Sequence, residues 1–295
     1  MIKRTFRKCL FRRATNVIQN KYAILAPLLI ALLGASDRPT RELLKSDVKI
    51  AELPAARVAS ARGDGTASMK LAIAYGYGIG VHVDTNAYLS FLTKAATQGL
   101  PQAWDLVGQL QIGTHPSDAV RNFKRAADAG YVPAKFDLAT STLIGRGIPK
   151  DERAACALFH SAALQEYPDA EYSWGTCLGN GVGGVQQDSI EALVWWTRAA
   201  DHGFPLAHQT LGIVLTQGLG VPRNPIEGMK WLLIATRDPD NEVDLHVVKT
   251  ALADASRTRP ATDLKDAQRR ATSWIAQHPR RERSPMIDFG GKLHL

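Results

Sequence analysis

Apolar residues recur along this chain with the spacing of a helix face. Leu71 and Tyr75 follow Ala67 at intervals of four residues, so all three lie on one face of a helix. Gly78 and Gly80 then mark the end of the helix, because glycine readily adopts the positive φ angles that turns require. The pattern predicts an amphipathic helix that ends in a glycine loop.

A second helix is predicted directly after this loop. Asp84 is placed to cap its first turn, since a carboxylate there accepts hydrogen bonds from free backbone N–H groups. Phe91 and Ala95 lie on its apolar face, and Gly99 ends it. Neither helix of the pair buries its apolar face alone.

This two-helix frame repeats at a nearly constant interval. It begins at Ala67, Ala103, Ala134, Ala170 and Ala207. The intervals are 36, 31, 36 and 37 residues, a period typical of solenoids built from stacked helix pairs. The second copy lacks the glycine loop, so we expect Ser117 to cap its second helix.

The unit resembles the Sel-1-like repeat, a branch of the tetratricopeptide-type helical solenoids, over residues 59–236. The leucine position of that repeat corresponds to Leu71, Val107, Leu138, Trp174 and Leu211. Its loop glycines correspond to Gly78, Gly80, Gly145, Gly147, Gly181, Gly183, Gly218 and Gly220, and its capping aspartate to Asp84, Asp151, Asp188 and Asn224. The resemblance implies an all-α fold, a right-handed α/α solenoid of five two-helix repeats with helical caps.

The resemblance also implies a function. Relatives in the bacterial envelope act as non-catalytic scaffolds or regulators, so we expect a protein or peptide partner in the concave groove and no cofactor. In such units the groove is lined by first-helix residues two before and two after the leucine position. The partner-binding residues expected here are Met69, Ile73, Asp105, Phe136, Tyr172, Gln209 and Ile213, with Gln109, Thr140 and Thr176 at the equivalent positions. The alternative, that these side chains only cover the inner wall, stays open.

If the groove is open, Phe136 and Tyr172 are accessible to a partner. Their replacement by alanine is then expected to weaken partner capture while the melting temperature stays nearly unchanged.

The first 36 residues predict export. They hold seven cations and no acidic residue, and they include the apolar run 22–35. A basic start, a short apolar run and a small-x-small site before Asp37 are typical of a secretory signal peptide. We expect a periplasmic or secreted protein, or one anchored in the inner membrane and facing the periplasm. A mitochondrial presequence and an endoplasmic-reticulum adaptor are the remaining alternatives.

Charge and motifs exclude several function classes. Without residues 1–36 the chain has 29 cations and 28 acids, so its net charge of +8 does not indicate a nucleic-acid-binding surface. The repeated G-x-G loops follow helices rather than strands, unlike a dinucleotide site. The histidines show no metal-ligand spacing, and no catalytic signature occurs. The alternative to a scaffold is an envelope hydrolase or a β-lactam-binding enzyme.

Two cysteines lie in the predicted solenoid. Cys156 and Cys177 fall on antiparallel neighbouring helices, about equally far from the turn at Tyr167 and Pro168. We predict a disulfide between them in an oxidising compartment. The alternative is two buried free thiols.

The chain is thus expected to have five regions. They are a signal peptide or membrane anchor at 1–36, a lead-in at 37–58, the solenoid at 59–236, a C-terminal helical cap at 237–279 and a disordered tail at 280–295.

Overall fold

The computed structural model describes residues 48–237, 243–257 and 259–278. These residues form thirteen α-helices and two short 3-10 turns, at Ile50–Glu52 and Val182–Gly184. The helices are α1 Leu53–Ala61, α2 Gly65–Tyr77, α3 Thr85–Thr97, α4 Pro101–Gln111, α5 Pro116–Asp128, α6 Val132–Ile144, α7 Glu152–Ala163, α8 Pro168–Asn180, α9 Ser189–Asp201, α10 Pro205–Gln217, α11 Pro225–Ala235, α12 Leu245–Arg257 and α13 Ala261–Gln277.

The described residues divide into two compact units. The N-terminal unit comprises residues 48–158 and the C-terminal unit comprises residues 159–278, with the boundary inside α7. In the N-terminal unit α2 packs on α3 and α4 on α5, and α3 and α5 also contact the helix that follows. In the C-terminal unit α8 packs on α9 and α10 on α11. The predicted two-helix repeat is confirmed in each unit.

The glycine loops end the first helices as the frame predicts. Gly78 and Gly145 lie in the left-handed region, with φ of 70° and 76°, and cap α2 and α6. The second glycine of a loop has another role. A Cβ atom on Gly147 would lie 2.2 Å from the carbonyl oxygen of Pro116. Only glycine fits there, because the loop backbone touches the start of α5.

The small residues of the first helices make room for large ones on the second helices. A Cβ atom on Gly108 would lie 2.6 Å from the ring of Phe123, and one on Gly175 would lie 2.8 Å from the ring of Trp196. Both rings are buried. The frame therefore alternates small and large residues across the seam of each pair, as dense core packing requires.

The four predicted capping residues each accept a hydrogen bond from the backbone at the start of a helix. Asp84, Asp188 and Asn224 accept hydrogen bonds from first-turn N–H groups of α3, α9 and α11. Asp151 likewise accepts from the N–H of Ala154 at the start of α7. All four predicted caps are confirmed.

The predicted cap at Ser117 is wrong. The residue before α5 is His115, no side chain caps that helix, and Ser117 lies inside its first turn. Pro116 is the first helical residue, and it both fixes a helical φ angle and lacks an N–H that would need a cap.

The caps of the predicted solenoid are helical where they are described. α1 crosses the boundary between the predicted lead-in and the solenoid, and α12 and α13 follow the last repeat. Within the described residues, no helix has the length and apolar character needed to cross a membrane. The predicted signal segment 1–36 and the tail 280–295 lie outside the described residues.

Candidate binding surface on the first helices

The first helices of the repeats are largely buried. Six of the seven expected partner-binding residues are buried and only the last is partly exposed, namely Met69, Ile73, Asp105, Phe136, Tyr172, Gln209 and Ile213. Their assignment to partner binding stays a prediction. Because these residues are buried, a partner can contact them only if it displaces the residues that cover them.

Polar residues cluster where α4 and α6 meet. The amide of Gln109 donates hydrogen bonds to Asp105 at 2.9 Å and to Asp137 at 3.1 Å. Asp105 is 2% exposed and Asp137 is 8% exposed. One neutral amide thus joins two buried carboxylates from consecutive first helices, an arrangement that positive charge stabilises.

Two further polar atoms extend this cluster. The amide oxygen of Gln102 and the hydroxyl of Thr140 are buried and have no hydrogen-bond partner among the described residues. Gln102 lies one turn before Asp105 on α4, and Thr140 lies one turn after Asp137 on α6, so each shares a face with its carboxylate. We call Gln102, Asp105, Gln109, Asp137 and Thr140 the acceptor strip.

Tyr172 has a packing role instead. It is 0% exposed, its ring lies 5.0 Å from that of Phe204, and its hydroxyl is 3.2 Å from that of Thr210. The expectation that alanine at this position leaves the melting temperature nearly unchanged is therefore corrected. Removing so large a buried side chain leaves a cavity, which destabilises the fold.

The cap helix α12 engages the two predicted residues on α10. The side-chain oxygen of Gln209 accepts a hydrogen bond at 3.0 Å from the backbone N–H of Asp244, just before α12. Ile213 packs against the apolar cluster that contains Val243 and Val248. α12 thus lies beside α10, where the first helix of a further repeat is expected.

Aromatic and histidine rings from α10, α11 and α13 pack together in the C-terminal unit. The sequence patterns did not predict this cluster. His208 stacks on Trp231, with ring centres 5.6 Å apart, and Trp274 meets both rings edge-on. His278 stacks on Trp274 at 4.1 Å. Burial lowers the pKa of His208 to about 4, because the charged ring would lose its hydration here. The spacing of His208, Trp231 and Trp274 in sequence gives no signal of this contact.

A buried ion pair joins α8 to α9. The carboxylate of Glu171 is fully buried and lies 2.7 Å from Nδ1 of His202 and 3.2 Å from the guanidinium of Arg198. Arg198 also lies over the ring of Trp195, at 4.6 Å. Cations near a buried carboxylate offset its lost hydration, so this group fixes the two helices together.

A surface depression in the C-terminal unit has charges that pair with one another. It measures about 580 Å³ and lies between α11 and α13. Glu227 pairs with Lys230 and Arg270, and Arg270 also pairs with Asp266. In the part of the chain that is described, no three His, Cys, Asp or Glu side chains form a group that could hold a metal ion.

Both cysteines of the predicted disulfide are buried. Cys156 lies in the N-terminal unit and Cys177 in the C-terminal unit. Their pairing with each other stays a prediction.

Comparison with known families matches most of the repeats. A sequence model of the family described as Sel1 repeat matches residues 66–100, 116–131, 132–167, 168–204 and 206–239. The matched ranges make up more than half of the 295 residues. The unmatched stretch 101–115 falls in the shortened second copy.

Three curated proteins share part of the chain. Chitin synthase regulator SKT5 of Malassezia restricta is 30% identical over 119 residues, which are 40% of this chain and 8% of that protein. Chitin synthase regulatory factor 3 of Schizosaccharomyces pombe is 27% identical over 128 residues, 43% of this chain and 14% of that protein. An uncharacterized protein of Neisseria meningitidis serogroup B is 29% identical over 155 residues, 52% of this chain and 33% of that protein. The matches thus span at most a third of these relatives.

Solved structures share the fold. A Sel1 repeat protein from Oxalobacter formigenes matches with a TM-score of 0.60 at 27% identity, over 76% of this chain and 68% of that one. A protective antigen present in uropathogenic Escherichia coli strains matches with a TM-score of 0.53 at 21% identity, over 80% of this chain and 61% of that one. With the paired helices, these matches confirm an all-α solenoid of two-helix repeats.

Proposed function

Since the chain belongs to the Sel1 repeat family, we propose that it is a non-catalytic scaffold or regulator in the bacterial cell envelope, where it binds a protein or peptide partner through its first helices. Proteins of this family are generally protein-interaction scaffolds, and the fold is typically not catalytic. The envelope location and the binding surface on the first helices are the parts of the proposal that are specific to this chain.

One observation carries the proposal. The frame keeps apolar residues at the leucine position but mixes apolar, aromatic, polar and charged residues at the position two before it, which is occupied by Met69, Asp105, Phe136, Tyr172 and Gln209. When the packing positions of a repeat are similar and the position two before the leucine site differs, the chemistry of that position changes from one repeat to the next. Such a pattern suits recognition of one extended partner rather than catalysis at one point.

The names of two relatives support a regulatory role. Both fungal proteins are named as regulators of chitin synthase. Because the match covers at most 14% of either protein, we carry over only the role of a regulator that acts through a partner, and not the enzyme it regulates.

The envelope location is tested with a reporter. The basic and then apolar start of the chain motivates export. A reporter that works only outside the cytoplasm, fused after Arg41, is expected to be active, and a reporter that works only in the cytoplasm is expected to be silent. The opposite result would exclude an envelope protein. A mature N-terminus at Asp37 would show that the signal is cleaved rather than kept as an anchor.

Partner binding is tested by capture from intact envelopes with the full chain. The variant Gln109→Lys places a cation between Asp105 and Asp137 and is expected to abolish recovery of the partner. Lys124→Glu changes an exposed residue of α5 and is expected to leave recovery unchanged. Equal recovery with both variants, at matched melting temperatures, would contradict binding on the first helices.

A further inference from the structure

The turn between α7 and α8 differs from the other turns that join one repeat to the next. Its left-handed position holds Glu166, with a φ of 57°. Among the residues that the structure describes, Glu166 is the only one other than glycine with a positive φ angle. The equivalent residues of the other turns are glycines with φ of 84° to 100°, namely Gly63, Gly99, Gly130 and Gly203. A side chain at positive φ costs free energy that glycine avoids, so the backbone of this turn is strained.

The same turn exposes a large apolar side chain. Leu164 lies two residues before Glu166 and is 61% exposed. The equivalent residues of the other turns are small or polar, namely Ala61, Thr97, Asp128 and Asp201. A single exposed leucine is common on protein surfaces, but this one lies in the turn that also keeps a strained residue. Two residues of one turn thus depart from the repeat frame, and both are exposed.

The contacts of Glu166 within the C-terminal unit do not explain the strain. Its carboxylate is 73% exposed and lies 4.0 Å from the guanidinium of Arg198. Arg198 lies closer to the carboxylate of Glu171, at 3.2 Å, and this buried carboxylate needs a cation. His202 also contacts Glu171. Because an exposed ion pair at the longer distance contributes little to stability, the carboxylate of Glu166 is open to a second cation.

We propose that Leu164 and Glu166 form an interaction surface for a protein partner that presents a lysine or arginine beside an apolar side chain. Strained residues persist where the fold holds them in place for a function. The carboxylate of Glu166 binds the cation of the partner, and the apolar side chain of the partner covers Leu164. An acidic partner residue is disfavoured, because it would lie against the carboxylate of Glu166.

This surface is separate from the one on the first helices. It lies on the turn that follows α7, which is the second helix of its pair. Its tests use the purified chain and whole cells, so they depend neither on binding through the first helices nor on export. Failure of the proposed function and failure of this surface are therefore distinguished.

The melting temperature of the full chain tests whether Glu166 is kept at a cost. Glu166→Gly is expected to raise the melting temperature by about 2–4 °C, because glycine relieves the strain. Glu166→Gln keeps the strain and removes only the charge, so the melting temperature is expected to stay nearly unchanged. If Glu166→Gly instead lowers the melting temperature, the side chain stabilises the turn. The strain is then explained without a partner, and the proposal is overturned.

Photo-crosslinking in whole cells tests the partner. A photoreactive residue at position 164 is expected to give one protein adduct, in which the crosslinked segment of the partner carries a lysine or arginine beside an apolar residue. Adding Glu166→Gln is expected to lower the adduct yield about tenfold, the effect of losing one charge-assisted hydrogen bond. No adduct, an adduct with a second copy of this chain, a segment without a basic residue, or an unchanged yield overturns the proposal.

A matched control removes a carboxylate from an equivalent turn. Asp128 is exposed in the turn that follows α5, and Asp128→Asn is expected to leave the adduct yield at position 164 unchanged. If this control lowers the yield as much as Glu166→Gln does, the effect is one of net charge and the proposal fails.

Charge exchange then tests the contact itself. Glu166→Lys is expected to abolish the adduct, because it places two cations together. Replacing the lysine or arginine of the partner segment by glutamate is expected to restore the adduct in the Glu166→Lys chain. If the yield is not restored although both proteins are folded, the cation of the partner contacts another group, and the proposal is overturned.

Discussion

Asp105 of the N-terminal unit and Tyr172 of the C-terminal unit occupy the same position of the repeat but have opposite properties. In the N-terminal unit Asp105 stands two residues before the leucine position and joins α4 to α6 through a shared amide. In the C-terminal unit Tyr172 stands at the equivalent position, and its ring packs on Phe204 while its hydroxyl reaches Thr210. At this position, Asp105 is a buried carboxylate and Tyr172 is a buried aromatic ring.

The difference shows how a repeat protein separates recognition from stability. Burying Tyr172 stabilises its unit in proportion to the apolar area removed from water. Burying Asp105 costs free energy unless a cation accompanies it. Under the proposed function, Asp105 is the residue of this pair that a partner contacts, and the N-terminal unit then carries the more specific recognition chemistry.

The largest expected effect on stability comes from replacing Tyr172, the packing residue of this comparison. Tyr172→Ala removes a fully buried ring and is expected to lower the free energy of unfolding by about 3–5 kcal/mol. Tyr172→Phe removes only the hydroxyl contact with Thr210 and is expected to cost about 1 kcal/mol. Chemical denaturation measures both. Similar, small effects for the two variants would contradict a packing role for the ring.

The glycine loop of the N-terminal unit is expected to tolerate no side chain. Gly147→Ala would bring a Cβ atom within 2.2 Å of the Pro116 carbonyl oxygen at a φ of 74°, and the expected destabilisation is about 3 kcal/mol. Gly130, with a φ of 85°, has nothing within 4 Å of its Cβ position. Gly130→Ala is therefore a control for backbone strain alone, at about 1 kcal/mol. Equal losses in thermal or urea unfolding would show that the contact with α5 is unimportant.

A disulfide between Cys156 and Cys177 is expected to contribute about 3 kcal/mol, the value for a loop of about 20 residues in the chain-entropy model. Cys156→Ser and Cys177→Ser are each expected to lower stability by this amount, and reduction of the unmodified chain is expected to do the same. Thiol labelling of the denatured, unreduced protein gives the direct answer. Two reactive cysteines there would rule out the bond.

His208 is expected to make the C-terminal unit sensitive to acid. Burial lowers its pKa to about 4 in the folded chain, against about 6.5 in the unfolded chain. Between these values the unfolded chain binds more protons, so stability decreases as the pH falls, by at most about 1.4 kcal/mol per pH unit. Unfolding measured from pH 7 to pH 4 is expected to show this slope. His208→Gln removes it, and the exposed control His82→Gln keeps it.

If the slope persists in His208→Gln, the acid sensitivity comes from another group. The experiment would then place the pH response outside the ring cluster of His208, Trp231 and Trp274.

The repeat frame could be predicted because its determinants are local. Asp84 caps the helix that it directly precedes, and Gly78 ends the helix that it directly follows. Such features depend on a few neighbouring residues and their backbone angles. The period itself then placed the helices in pairs, so the fold class followed from the sequence.

Contacts between distant residues could not be predicted in the same way. Trp274 lies on α13, which does not follow the frame, and it meets Trp231 of α11 and His208 of α10. No spacing in the sequence relates them. The frame also predicted which first-helix residues share a face but not how much of that face is covered. The sequence therefore left open whether Phe136 and Tyr172 are accessible, and both are buried.

The prediction for the start of α5 was wrong for a different reason. Serine is a favourable cap, and the sequence offers Ser117 in the expected place. The helix begins two residues earlier than a cap at Ser117 would allow, because Pro116 is already preorganised for the first helical position. Two local rules competed, and the proline determined the boundary.

Photo-crosslinking in intact envelopes tests the central claim most directly, which is that the first helices of the N-terminal unit hold a protein partner. A photoreactive residue at Gln109, which is partly exposed on α4, is compared with one at Lys124, which is exposed on α5. The account predicts one discrete protein adduct from position 109 and none from position 124. Adducts of equal yield at both positions, or an adduct only from position 124, would contradict it.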